Sequence, residues 1–232
     1  MTNHESYNHL VSITVDVQND FCPGGALAVP GGDEVIEPLN QLNEWVRSRG
    51  NVYFTRDWHQ RNSKHFIENG GEWPKHCVAY TTGAAFPDNL DIRVGRDDVL
   101  NKGTDPDDPG YSGFTEKAVL EDYPWMYYNN LRTLSEYQLD HYYPRIAFII
   151  GGLATDYCVK ATTLDIYKNL PRHAEQIGVF VVKDAIRAVN LSAGDGAKAT
   201  QAMKRAGAKL VTVDQIISGE AFDLSLEGKY HD

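Results

Sequence analysis

Cysteine is scarce in this chain: Cys22, Cys77 and Cys158 are the only three among 232 residues, and no two form a C-x-x-C pair. They are too few and too scattered for a disulfide framework. A reducing, cytoplasmic setting is therefore expected. Long apolar runs are missing as well, since none approaches the roughly 18 residues needed to span a bilayer. The opening, MTNHESYNHL, has no basic stretch followed by an apolar one, so no signal peptide is expected. Basic charge is in deficit, with 22 Lys and Arg against 32 Asp and Glu and a net charge of −10. That balance argues against nucleic acid or an anionic membrane surface as a partner. Internal repeats and low-complexity linkers are absent too.

The composition present fits a soluble globular protein with a sizeable core: 42% of residues are hydrophobic and 23% charged. One domain over residues 1–232 is expected, with about the first eight loose. Apolar, β-branched runs mark strands at LVSITVDV (10–17), NVYFTRD (51–57) and RIAFIIGGL (145–153). Further strands are expected at DDVLNKG (97–103), GVFVVKDA (178–185) and AKLVTVDQI (208–216). Between the first two, Val35, Ile36, Leu39, Leu42, Trp45 and Val46 recur at near-helical spacing, and Gly50 is a stop signal. Helices are also expected over 155–170 and 193–207. Alternating strands and helices with continuously apolar strands predict an α/β fold: a doubly wound, mostly parallel sheet with helices on both faces. Residues 58–96 are irregular, and loops of that length inside a compact unit are commonly functional.

In open α/β sheets ligands gather at the carboxyl ends of the strands. Those ends carry Asp16, then Asp57 with His59, then Lys102, and finally the turn before Cys158. Taken singly each has a plain structural use, as a cap, a surface charge or a core residue; together on one rim they favour a site. At a helix N-terminus the free N–H groups stabilise a thiolate, which predicts a lowered pKa for Cys158. The same N–H groups can hold an oxyanion. A thiol attacking an amide needs a base and later an acid, and Asp16 suits both turns. Lys102 would keep Asp16 ionised. Asp57-x-His59, with His76 further on, offers one oxygen and two nitrogen ligands, leaving open positions on a metal.

The segments VDVQNDFCPGGAL (15–27), TRDWH (55–59), GGEWPKHCVAYTTGAAF (70–86), NKGTDPDDPGYSGF (101–114) and GGLATDYCVKATTLD (151–165) carry a resemblance. In that order they resemble the nicotinamidase/pyrazinamidase branch of the isochorismatase-like cysteine hydrolases. The resemblance implies a catalytic triad of Asp16, Lys102 and Cys158, and metal ligands Asp57, His59 and His76. It implies an oxyanion hole from the N–H groups of Ala154 and Cys158, with a cis peptide between Leu153 and Ala154. Phe21, Trp73 and Tyr111 match positions that wall the substrate ring. The implied cofactor is one divalent metal ion, zinc first, with iron or manganese as alternatives. Two features depart from the pattern. Gln60 stands where the usual residue is proline and Ser63 where many relatives have a further histidine, leaving Ser63, His65 or water to complete the metal shell. The aromatic stretch EDYPWMYYNN (121–130) is outside the pattern and is expected to be a lid edge or a subunit contact in a homo-oligomer.

The expected activity is hydrolysis of nicotinamide, and of pyrazinamide, through a cysteine thioester, as a step of NAD salvage. Three alternatives stand beside it: a related small-amide hydrolase of the same superfamily, a hydrolase in which a metal activates water, and a redox-sensing protein without catalysis.

Overall fold

The computed structural model describes residues 7, 9–114, 145–170 and 177–222. The aromatic stretch 121–130 lies outside them. Among the described residues six strands form one parallel sheet: β1 (His9–Val15), β2 (Gly50–Asp57), β3 (Asp98–Lys102), β4 (Ile146–Leu153), β5 (Ile177–Arg187) and β6 (Lys209–Val211). Their spatial order is β3-β2-β1-β4-β5-β6. The helices are α1 (Ile36–Arg47), α2 (Lys160–Asn169), α3 (Asp195–Ala206) and α4 (Val213–Ile217). The order reverses between β1 and β4, and a crevice opens at the carboxyl ends of strands at such a switch point.

Successive side chains of a strand point to opposite faces, and here both faces are dry. Val11, Ile13 and Val15 of β1 pack with Phe148, Ile150, Val179 and Val181 and with Ile166 of α2 and Met203 of α3. On the other face, Ala147, Ile149, Phe180 and Val182 pack with Leu39, Leu42 and Val46 of α1 and with Val213 and Ile216 of α4. Ser12 and Thr14 face α1 as well, where buried Asn43 accepts from the Ser12 hydroxyl at 2.7 Å and donates to Thr14 Oγ1 at 2.9 Å. The doubly wound reading of the apolar runs is thus met by two separate cores.

Two glycines near the end of β4 are required for different reasons. A Cβ on Gly151 would stand 2.8 Å from Leu39 Cδ2, so α1 lies directly against the strand. Gly152 has φ 116°, and a Cβ there would fall 2.1 Å from the Val15 carbonyl oxygen. Leu39 is fully buried at this contact. Leu39→Ala is expected to cost about 2–5 kcal/mol, read as a lower urea midpoint with an unchanged slope.

One expected strand is shorter than its apolar pattern suggests. Over 208–216 only Lys209–Val211 pairs with β5, and α4 follows at once. Thr212 caps that helix: its Oγ1 accepts from Gln215 N–H at 3.2 Å, and Gln215 Oε1 accepts from Thr212 N–H at 3.0 Å. This reciprocal capping box outweighs the β-branched run. No helix among the described residues is long and apolar enough to cross a membrane.

Candidate active site

The parallel register delivers the four strand ends to one place. Val15 pairs with Gly152, and Asp57 pairs with Lys102, so the chain beyond β1 and β4 faces the side chains closing β2 and β3. Asp16 follows β1 with φ 49°, and its Oδ1 accepts from the Thr55 hydroxyl at 2.7 Å. The Lys102 ammonium sits at the centre. It lies 2.8 Å from Asp16 Oδ2, 2.5 Å from Asp57 Oδ1 and 3.4 Å from Cys158 Sγ. Asp16 and Lys102 are fully buried, and Asp57 and Cys158 nearly so.

Two carboxylates around one ammonium out of water set the proton inventory. Burial pushes Asp16 up and Lys102 opposes it, with Asp57 adding to the rise. Burial works against ionisation of Asp57 too, but Lys102 and the neighbouring histidines outweigh it and hold that carboxyl below its usual range. Lys102 is destabilised by burial, yet Asp16 and Asp57 more than compensate and raise it well above normal. For Cys158 the outcome is the reverse of the sequence expectation. Burial drives the thiol well above its ordinary value; Lys102 opposes this, while Asp16 and Asp57 reinforce it. The resting sulfur therefore keeps its proton and needs an acceptor at the moment of attack.

Cys158 lies on a single wide turn, Thr155–Val159, wound as a π-helix ahead of α2. The Leu153–Ala154 peptide is cis, as the resemblance implies. The Ala154 carbonyl accepts from the Tyr157 and Val159 N–H groups at 3.0 and 3.2 Å, on either side of the Cys158 N–H.

Beside this cluster three imidazoles converge. His59, His65 and His76 each offer a ring nitrogen, and these atoms lie within 4.8 Å of one another. His59 Nδ1 is 3.1 Å from the Gly103 carbonyl, and His76 Nδ1 is 2.7 Å from the Pro74 carbonyl. Carbonyl partners of this kind fix the tautomer and leave Nε2 as a lone-pair donor. Both Nε2 atoms face Asp57 Oδ2, at 3.6 Å from His59 and 4.0 Å from His76. His59 Nε2 is buried with no hydrogen bond among the described residues. Burial, with the other two imidazoles adding, lowers His65 to about 4, and burial likewise lowers His76. Neutral imidazoles, an orphaned nitrogen and a carboxylate oxygen suit a divalent metal.

The sequence places Asp57, His59 and His76 in this set, and all three meet here. Of the alternatives for a further ligand, His65 joins the cluster. The Ser63 hydroxyl accepts from the His65 N–H at 3.3 Å, within the turn that delivers the ring.

A cleft reaches both clusters. Phe21, Trp73 and Tyr111 line it with His65, His76, Asp57, Ala154 and Cys158. Trp73 Nε1 donates to the Tyr111 hydroxyl at 3.0 Å, so the two rings brace each other. Leu27, Val29, Tyr157 and Val189 also line it, and none of them is among the expected substrate-walling residues. Tyr157, edge-on to Trp73 with ring centroids 4.8 Å apart, has a signal in its place beside Cys158. Val189 carries no sequence signal; it is brought in by buried Asp156, which accepts from the Val189 and Asn190 N–H groups at 2.9 and 2.8 Å.

Comparison with known proteins bears on the family and the fold. The Isochorismatase domain family matches residues 11–121. The Nicotinamidase of Escherichia coli (strain K12) is 36% identical over 224 residues, which are 87% of this chain and 93% of that protein. The chain belongs to the nicotinamidase/pyrazinamidase branch of the isochorismatase-like hydrolases. Among solved structures, the pyrazinamidase of Pyrococcus horikoshii in complex with zinc superposes with a TM-score of 0.70 at 32% identity. That match covers 88% of this chain and 99% of the other. PnC1 from L. infantum in complex with nicotinate gives a TM-score of 0.69 at 26% identity, over 89% of this chain and 94% of that one.

Proposed function

We propose that this chain, acting as one domain, is a nicotinamidase that hydrolyses nicotinamide, and by the same chemistry pyrazinamide, to the carboxylate and ammonia. The observation that carries the reading is the single buried ammonium of Lys102 in contact with Asp16, Asp57 and Cys158 at once. It joins a nucleophile and its base to the edge of a histidine cluster. The family's named activities support the same reading.

Asp16 takes the proton from Cys158 Sγ as sulfur attacks the carboxamide carbon. Lys102 balances the charge on both partners, as a thiol raised by burial requires. The N–H groups of Ala154 and Cys158 receive the developing oxyanion. Asp16 then returns the proton to the departing ammonia, leaving a thioester on Cys158. The same carboxylate deprotonates a water, which cleaves the thioester and frees the acid. Phe21, Trp73 and Tyr111 wall the ring and exclude bulk water from these steps.

Asp57, His59 and His76, with His65 as a fourth donor, would hold the metal, and zinc is the ion we assign. When bound, it supplies a positive, Lewis-acidic point that can take the pyridine nitrogen directly or through water. Its part is then recognition, and the triad carries the chemistry.

Ammonia release from nicotinamide by the purified chain tests the activity, and benzamide, which lacks the ring nitrogen, tests the division of labour. A site with a polar partner for that nitrogen penalises an analogue that leaves it unpaired. The expected preference in kcat/KM is at least about a hundredfold. A chelator, or His76→Ala, should shrink the ratio mostly by damaging nicotinamide. If the metal-free chain keeps the same ratio, the metal is structural and recognition rests with Phe21, Trp73 and Tyr111.

A further inference from the structure

Gln18 is fully buried two residues beyond Asp16, and no catalytic step uses it. Parallel pairing of β1 with β2 ends at Val15 opposite Thr55. The Asp16 N–H then donates to the Thr55 carbonyl at 3.1 Å. At Asp16, with φ 49°, the backbone turns out of the ladder, and this turn lets its carboxylate reach Lys102. The departure leaves Asp57, two residues further along β2, with an N–H and a C=O facing a strand that is no longer there. Unmatched buried backbone groups are costly.

The Gln18 side chain fills that gap. Its Oε1 accepts from the Asp57 N–H at 2.8 Å, and its Nε2 donates to the Asp57 carbonyl at 2.8 Å. The second Nε2 hydrogen goes to the Ala84 carbonyl at 2.9 Å. A primary amide presents the donor and acceptor of a peptide group, so one side chain stands in for the missing length of β1. The residue it grips has two tasks. Asp57 Oδ1 meets Lys102, while Asp57 Oδ2 faces His59 and His76.

We propose that Gln18 is a positioning residue: its amide fixes the Asp57 backbone and so aims one carboxylate at the ammonium and the imidazoles together. This rests on the metal reading of the histidine cluster. Outer partners of a metal ligand typically change affinity by about 10–100-fold, and Gln18 acts one covalent step behind Asp57.

The test uses the full chain as wild type, Gln18→Met and Gln18→Leu, with Leu39→Ala as a core variant of lowered stability. Zinc affinity is measured against a chromophoric chelator, the cobalt-substituted visible spectrum is recorded, and kcat/KM is compared for nicotinamide and benzamide. Folded Gln18→Met is expected to bind zinc at least about tenfold more weakly. Its cobalt spectrum should change and its preference for nicotinamide should fall, while Leu39→Ala keeps the wild-type spectrum and preference. A folded Gln18 variant with wild-type zinc affinity and spectrum overturns the role of Gln18 alone. Equal changes in Leu39→Ala, or loss of the fold in both Gln18 variants, assign the residue to general stability and also overturn it. A wild type that takes up no zinc overturns the metal reading and this proposal together.

Discussion

Cys158→Ala is expected to give a folded chain that releases no measurable ammonia from nicotinamide. The reason lies in the site's economy of parts. Among the described residues its sulfur alone meets both the Lys102 ammonium and the cleft, while Cys22 and Cys77 are buried and do not line that cleft. Where nucleophile and base act as one unit, removing the nucleophile costs roughly a millionfold in kcat. Removing one sulfur at a nearly closed position should leave stability within about 2 kcal/mol, since only a small cavity is made. Cys22→Ala and Cys77→Ala should retain turnover. Iodoacetamide should label Cys158 with loss of activity, and substrate should protect it. A chain alkylated at Cys158 yet fully active would end the covalent mechanism and favour water activated by a metal.

The second large effect concerns the proton and its counter-charge. Asp16→Asn keeps the shape but has no acceptor for a thiol that burial holds protonated, and the same group is needed to protonate ammonia. A fall in kcat of about 10⁴-fold is expected, the upper range for a positioned acid–base group. Lys102→Met removes charge from the middle of two buried carboxylates. Breaking a buried pair costs about 3–5 kcal/mol because the remaining charge is stranded, so both Tm and activity should fall. The two variants separate by this pattern: Asp16→Asn loses rate with little loss of stability, and Lys102→Met loses both. Near-normal turnover in either variant, measured by ammonia release, would remove that residue from the mechanism.

The strand ends are legible in the sequence because each element announces itself locally. A β-branched run stops at Asp16, another at Asp57 and a third at Gly151 and Gly152, and the rule that α/β sheets bind ligands at their carboxyl edge joins them. Three features are not legible, each because it depends on chain segments far apart. The Cys158 proton is held by burial and by carboxylates at positions 16 and 57, which a helix-terminus argument does not include. His65 stands in the sequence as one of three candidates to complete the metal shell, but its place is set by where the folded 63–66 turn brings its ring relative to His59 and His76. Gln18 has no meaning as a spacing; its amide matters once β1 has bent away from β2. The short α4 is a different case. Its T-x-x-Q signature stands in the sequence at Thr212 and Gln215, but the apolar run beside it reads more strongly as a strand.

The wide turn at Thr155–Val159 makes residue count part of the function. Each residue added to or removed from a helix rotates the downstream side chains by about 100°. With one residue fewer between the Ala154 carbonyl and α2, ordinary winding would resume, and Ile166 could still find its place against the sheet. The thiol would then be carried round the axis, away from the ammonium of Lys102. A homologous gene with a one-codon gap in this turn would therefore show its cysteine in an alignment and lack it in the site. Such a sequence would encode a folded protein without a nucleophile, a distinction that composition alone does not reveal.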